Sequence, residues 1–230
     1  MNIWKDEQEL FQLVRKELFT ALVGDVMDKM GYRNQFLPPQ IKPLDSRMIL
    51  IGKAMTVLEA DVFEQELLNL DDSVARKPFG LMFRALDDLK GNEVYICSGA
   101  SAKYALWGGL MSTRAIKCGA AGAVLNGYSR DTNEILRLGF PTFSYGGYAQ
   151  DQGVRGKVID YRVTIEIENV RIRQGDFIFG DRDGVVVVPS HVKDEVFEGA
   201  FEKARGEKKV LKALEQGMSS SDAFDKFGIM

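Results

Sequence analysis

Between Glu93 and Ser144 the chain repeats one pattern: a short apolar run, a helically spaced segment, then a glycine. Glu93-Val94-Tyr95-Ile96-Cys97 reads as a strand. Leu106 to Cys118 reads as a helix that stops at Gly119. Ala121 to Leu125 is a wholly apolar strand, Thr132 to Leu138 a short helix closed by Gly139, and Pro141 to Ser144 another strand. Alternation of this kind requires parallel strands joined by crossover helices, which narrows the fold more than any other feature of the chain.

The flanks differ. Met48 to Leu58 predicts a strand interrupted by Gly52, and Phe79 to Leu89 has helical spacing up to Gly91. Residues 61–76 mix carboxylates with Leu67, Leu68 and Leu70 and fit neither period. After Gly153 the period falls to two: Tyr161 to Ile167 puts Val163, Ile165 and Ile167 on one face. Val170 and Ile172, Phe177 to Phe179, and the valine run Val185 to Val188 follow, separated by Gly175-Asp176 and Asp183-Gly184 turns. These predict an antiparallel β layer. Helices are expected at both ends. The first pair covers about 5–31, with Thr20 as an N-cap and Gly31 closing the second. The tail covers about 190–226, starting at Ser190, passing Gly217, and recapped by Ser219 to Ser221. With no repeat and no linker composition, a single domain over residues 1–230 is expected.

Composition excludes several function classes. Thirty Lys and Arg against thirty-three Asp and Glu give a net charge of −3, which is no footprint for nucleic acid or an anionic membrane. Cys97 and Cys118 form no CxxC pair, and His191 is the only histidine, so thiolate zinc sites and zincin motifs are excluded. Any bound metal would be a hard cation held by carboxylates and water. The N-terminus resembles no signal peptide, and no apolar run approaches a membrane span, so a cytoplasmic protein is expected.

Two stretches carry candidate chemistry. Gly108-Gly109 opens a predicted helix, where free amides and the dipole favour an anion. Arg130-Asp131 follows an apolar strand at its carboxyl end, where ligands of α/β sheets gather. The arginine can grip a carboxylate with two parallel bonds, and the aspartate can give one oxygen to a hard cation. The residues alone leave the plainer readings open: a tight turn for the glycines, and a helix cap with a surface ion pair for Arg130-Asp131.

The combination of Thr20–Asp28, Gly52–Val57, Trp107–Thr113, Gly119–Gly122, Asn126-Gly127-Tyr128-Ser129-Arg130-Asp131, Gly139-Phe140-Pro141 and Gly180–Pro189 resembles a known family. It is that of the 4-hydroxy-4-methyl-2-oxoglutarate/4-carboxy-4-hydroxy-2-oxoadipate aldolases and the regulator of ribonuclease activity A. The resemblance implies an α/β fold of layered β/β/α, swivelling type, with a C-terminal helical tail, assembled as a homotrimer or homohexamer. It implies a class II pyruvate aldolase or oxaloacetate decarboxylase-like lyase using Mg²⁺ or Mn²⁺ on a small 2-oxo acid. Arg130 would bind the pyruvyl carboxylate and keto oxygen, and Asp131 would be the direct metal ligand. Gly108, Gly109, Leu110 and Met111 would hold the carboxylate. Glu207, or else Glu202, would reach a neighbouring subunit's metal.

One position departs from the family pattern. The aldolases carry an acid twenty-one positions before the arginine, and here that position is Gly109. The departure implies that decarboxylation survives and aldol cleavage is weak, unless Asp25, Tyr104 or Glu134 supplies the group. A smaller one is Asn126, where Asp is common. Asp25 and Asp28 share a helix face, Asp25 reading as a capping or structural hydrogen-bonding residue and Asp28 as solvent-facing. Asp181 and Asp183 read as turn residues, His191 as a surface residue, and the basic cluster Lys203, Arg205, Lys208, Lys209, Lys212 as a solvated face. The opposing class is a non-catalytic, ribonuclease-regulator-like binding protein.

Overall fold

A computed structural model describes residues 3–63 and 77–229, so most of the ambiguous stretch 61–76 lies outside the described residues. The chain divides into two compact units: residues 1–33 with 191–230, and residues 34–190.

The first unit is helical. It contains α1 (Glu7–Glu17), α2 (Thr20–Lys29), the long α6 (Lys193–Glu215) and α7 (Ser220–Phe227). Asp6 caps α1 by accepting from the Glu9 amide, and Ser219 caps α7 in the same way from Asp222. Thr20 is not the cap of α2: that position is Phe19, and Thr20 is buried in the first turn. Nor is Ser190 the cap of α6, which begins after a short 3₁₀ turn over Ser190–Val192. Gly31 closes α2 at φ 89°, a conformation that glycine adopts without strain. Apolar residues at helical spacing, Phe197, Phe201 and Ala204, bury one stripe of α6. Lys203 is not solvated as the charge pattern suggested, because Asp25 and Glu207 both pair with it.

The second unit contains β1 (Lys42–Pro43), β2 (Leu50–Asp61), α3 (Met82–Asp87), β3 (Glu93–Ser98), β4 (Ala105–Trp107), α4 (Gly109–Lys117), β5 (Gly122–Leu125), β6 (Tyr128–Ser129), α5 (Thr132–Leu138) and β7 (Thr142–Ser144). β8 (Gly156–Tyr161), β9 (Ile165–Ile167), β10 (Val170–Ile172), β11 (Phe177–Asp181) and β12 (Gly184–Val188) complete it. One eight-stranded sheet runs β1-β7-β5-β3-β2-β11-β12, with β8 paired to β2. Strands β2, β3, β5 and β7 are parallel neighbours, while β11 and β12 join antiparallel. Residues just before β1 reach the other edge, where Phe36 bridges Val186, so the sheet is nearly closed.

The parallel strands β2, β3 and β5 split their side chains between two cores. On one face Met55, Val57, Tyr95, Cys97 and Leu125 pack against Ala85 and Leu86 of α3, Ala115 of α4 and Ile135 of α5. On the other, Ala54, Val94, Ile96 and Ile178 pack against Ile165, Ile167, Val170 and Ile172 of the β9-β10 hairpin. The layers are therefore hairpin, sheet and helices. This is the β/β/α order that the resemblance implied, but the antiparallel strands β11 and β12 extend the parallel sheet instead of forming a layer of their own.

Three sequence expectations change for local reasons. Leu106 and Trp107 belong to β4, not to a helix, because the helix begins only at Gly109. Gly52 does not interrupt β2. It lies within the strand, where a Cβ would meet the Asn92 carbonyl oxygen at 2.5 Å. The alternating run Tyr161 to Ile167 is cut at Arg162, whose φ of 58° lies in the left-handed region. Its guanidinium is drawn to Glu93 at 2.7 Å and to Asp88. Among the described residues no helix is long and apolar enough to cross a membrane.

Candidate active site

Two strand-to-helix junctions lie side by side because the short strands β4 and β6 pair in parallel. Gly108-Gly109 leaves β4 and opens α4, while Arg130-Asp131 leaves β6 and opens α5. The Arg130 amide donates to the Trp107 carbonyl at 2.8 Å, which fixes the register between the junctions. Trp107 is buried. It donates from Nε1 to Ser112 Oγ at 2.7 Å, and its ring stacks on Phe140 at 5.9 Å. That packing makes the floor rigid.

Asp131 has φ 57° and ψ 36°, a left-handed conformation that costs a non-glycine residue free energy. The bend turns its carboxylate toward the start of α4, where Oδ2 accepts the Gly109 amide at 3.1 Å. A Cβ on residue 108 would come within 2.7 Å of Asp131 Oδ2, so glycine is what allows the approach. Oδ1 accepts no hydrogen bond within the described residues, and the side chain is 48% exposed. The amides of Leu110 and Met111 also lack acceptors there, as expected for a first helical turn.

Arg130 is held from the opposite side. Its Nη1 donates to Asp151 Oδ1 at 2.6 Å, and Asp151 Oδ2 accepts the Gly153 amide at 2.8 Å. Arg130, Asp131, Gly108, Leu110 and Met111 line one cavity of about 400 Å³ with Asp151 and Gln152. Gly109, expected to hold the carboxylate as well, does not line it: its amide is taken by Asp131 Oδ2. Sequence reasoning missed Asp151 and Gln152. They lie in an irregular connection between β7 and β8 that has no periodicity, and the neighbouring Gly146-Gly147 and Gly153 were the only signal.

The other candidates are not among the residues lining this cavity. Glu207 belongs to the helical unit, where it faces Lys203 at 3.4 Å. Asp25 pairs with Lys203 in that unit, and Asp28 is exposed. Tyr104 donates to Asp61 at 2.7 Å and lines a different cavity. Asn126 accepts from Tyr145 at 2.7 Å, a bond that holds two loops together. His191 is exposed and pairs with the Tyr32 hydroxyl at 3.2 Å. Glu134 is the informative one. A Cβ on Gly109 would meet Glu134 Cγ at 2.8 Å, so its stem occupies the place where a side chain at 109 would begin. Its carboxylate turns to Arg137 at 2.5 and 3.0 Å, and the Arg137 hydrogen bonds hold it below the usual carboxylate range.

Behind the cavity wall lies a buried acid. Gln152 Nε2 donates to Glu59 Oε2 at 2.6 Å. Burial pushes the Glu59 carboxyl from 4.5 up to about 8, against the pull of the Cys97 thiol and the Gln152 amide. An unfolded glutamate loses its proton near 4.5, while the native one keeps it until about 8. The resulting stability is full below the lower value and is lost as pH rises through the upper one. Glu59→Gln is therefore expected to melt at least about 4 °C higher than the parent near pH 8.5, and to converge with it near pH 5. Thermal melts across that range check this, and parallel curves would refute it.

The donor set suits a hard cation. Oδ1 of Asp131 is a free carboxylate oxygen, and no group of three His, Cys, Asp or Glu suited to a metal occurs among the described residues. A cation here would keep most of its waters, as Mg²⁺ does.

The family described as RraA-like (aldolase/RraA) matches residues 20–187. DlpA of Legionella pneumophila is 25% identical over 90% of this chain, which spans only 32% of DlpA's length. A protein of Halalkalibacterium halodurans named "Putative 4-hydroxy-4-methyl-2-oxoglutarate aldolase" is 27% identical over 89% of each chain. A crystal structure described as novel cellulases from microbes of the gut ecosystem is 32% identical at a TM-score of 0.77, covering 91% of this chain and 89% of its own. An uncharacterized protein of Pseudomonas syringae pv. tomato is 24% identical at a TM-score of 0.83, covering 99% and 97%, and supports the fold alone.

Proposed function

The chain belongs to the RraA-like family, and from that premise we propose that it is a divalent-metal-dependent lyase. It would act on short 2-oxo acids through a pyruvate enolate, by oxaloacetate decarboxylation, by retro-aldol cleavage, or by both. The observation that carries the reading is the convergence of Arg130, Asp131 and the free amides of α4 on one cavity. The aldolase-named relative supports it.

Arg130 would hold the substrate carboxylate and keto oxygen with its planar fork, and Asp151 keeps that fork aimed. The Leu110 and Met111 amides, at the positive end of α4, would take the second carboxylate oxygen. Asp131 Oδ1 would hold Mg²⁺ or Mn²⁺, which supplies Lewis-acid polarisation of the keto oxygen when bound. In oxaloacetate the C3–C4 bond would break with C4 leaving as CO₂, and in a 4-hydroxy-2-oxo acid C4 would leave as a carbonyl once its hydroxyl gives up a proton. In both the electron pair would pass into the keto system as the enolate that Arg130 faces, and a proton on C3 would complete pyruvate. Mg²⁺-dependent pyruvate release from oxaloacetate, abolished by EDTA, tests the proposal. Pyruvate release indifferent to EDTA would refute the metal. Absence of pyruvate chemistry would favour the regulator reading, and β-glucan hydrolysis would favour the gut protein's description.

The missing acid at position 109 has a structural counterpart in Glu134. Because Glu134 fills that space, Gly109→Asp alone is expected to disturb the junction. Gly109→Asp with Glu134→Ala removes the Cγ contact, leaving a Cβ at 3.1 Å that must give by a few tenths of an ångström, and is expected to raise aldol cleavage about 10²-fold while leaving oxaloacetate decarboxylation within a few-fold. Equal gains in both reactions would show that the new carboxylate does not act in proton transfer.

We also propose a homotrimer or homohexamer in which Glu207 completes a neighbouring subunit's metal site. Glu207→Gln is expected to weaken Mg²⁺ affinity about 10-fold with little change in melting temperature. A fully active monomer in sedimentation would refute the sharing.

A further inference from the structure

The cavity is larger and more apolar than a pyruvyl group requires. Beyond its charged end it is walled by Phe79, Met82, Phe83, Leu86 and Met111. Phe79 and Phe83 meet edge to face at 5.6 Å. Phe79 is held at φ 60°, a strained value for an aromatic residue, and its ring forms part of this wall. Phe83 is 55% exposed, so its ring is not serving the core.

The charges lining the cavity point the same way. Asp87, Asp131 and Asp151 face two guanidiniums, Arg114 and Arg130. Arg114 is already paired to Asp87 at 2.7 Å, and Arg130 is the proposed anchor. A substrate with a second carboxylate would find no uncommitted cation along the described wall, and desolvating that carboxylate against Phe and Met side chains is costly.

Resting on the reading of Arg130 and Asp131 given above, we infer that the physiological substrate is a 2-oxo acid with one carboxylate and an apolar, aryl or branched-alkyl tail. For a 4-hydroxy-2-oxo acid of this class, cleavage breaks C3–C4 and leaves the electron pair on the pyruvyl carbon. The 4-hydroxyl gives up its proton and becomes an aldehyde carbonyl, and C3 is reprotonated. No oxidant or reductant is needed.

Three non-cleavable ligands test this by calorimetry on the intact protein with Mg²⁺: pyruvate, 2-oxoglutarate and 2-oxo-4-phenylbutanoate. All carry the same anchor and differ in the tail. The phenyl acid is expected to bind at least about 10-fold more tightly than pyruvate, with 2-oxoglutarate no tighter than pyruvate. Phe83→Arg, on an exposed position, is expected to shrink that difference and to favour 2-oxoglutarate. Tighter binding of 2-oxoglutarate than of the phenyl acid, equal binding of all three, or an unchanged ratio in the variant would overturn the inference while leaving the anchor intact. No Mg²⁺-dependent binding of pyruvate, with no exchange of its methyl protons in D₂O, would instead overturn the proposed function and this inference with it.

Discussion

Asp131→Ala is expected to lower Mg²⁺-dependent pyruvate release from oxaloacetate by at least about 10³-fold, the scale on which loss of one preorganised charge acts. Among the described residues at the junction, Asp131 Oδ1 is the carboxylate oxygen without a hydrogen bond, so no described neighbour can take over its proposed task without rebuilding the loop. The alanine variant carries a confounding cost, because alanine tolerates the left-handed backbone at this position less well than aspartate does. Asp131→Asn removes the difficulty. Asparagine accepts that conformation and can still take the Gly109 amide, but it lacks the charge. Both variants are expected to lose turnover, and the asparagine variant is expected to melt within about 1 kcal/mol of the parent. Unchanged turnover in the asparagine variant would exclude Asp131 as the metal ligand.

Arg130→Lys is the second large effect, expected at about 10²-fold or more in kcat/KM for oxaloacetate. Lysine keeps the charge but is a point donor, and it cannot present two parallel N–H groups to a carboxylate. It would also contend with Asp151, which holds the native guanidinium at 2.6 Å. An ammonium drawn to Asp151 would be pulled away from the substrate. The loss should therefore appear in KM as well as kcat. Kinetics within a few-fold of the parent would show that the carboxylate is bound elsewhere, with the α4 amides the next place to look.

Much of this was legible in the sequence, for identifiable reasons. Strands β3, β5 and β7 are short and buried on both faces, and the glycines at 119 and 139 end helices α4 and α5, so the alternating pattern predicted the parallel part of the sheet. The valine run of β12 could be placed as a strand because β-branched residues fit a buried pleated surface. Arg130 and Asp131 stood out because they follow an apolar strand at its carboxyl end. Where local pattern and structure differ, a contact distant in sequence overrides local preference. Arg162 leaves the extended conformation where it pairs with Glu93 and Asp88, and Lys203 pairs with Asp25 instead of lying on a solvated face.

The sequence by itself determined which residues carry charge or freedom at the two junctions, because a glycine pair and an Arg-Asp pair are local facts of composition and spacing. It also determined the order of strands and helices through hydrophobic period. Only the tertiary structure decided that the junctions face each other, since that depends on the pairing of two strands of three and two residues that no period reveals. It alone brought Asp151 to Arg130 across twenty-one residues, set Glu134 into the space left by Gly109, and walled the cavity with Phe79 and Phe83. Side chains far apart in sequence become neighbours through the packing of whole elements, and that packing is fixed by the buried faces of the sheet rather than by the residues that line the site.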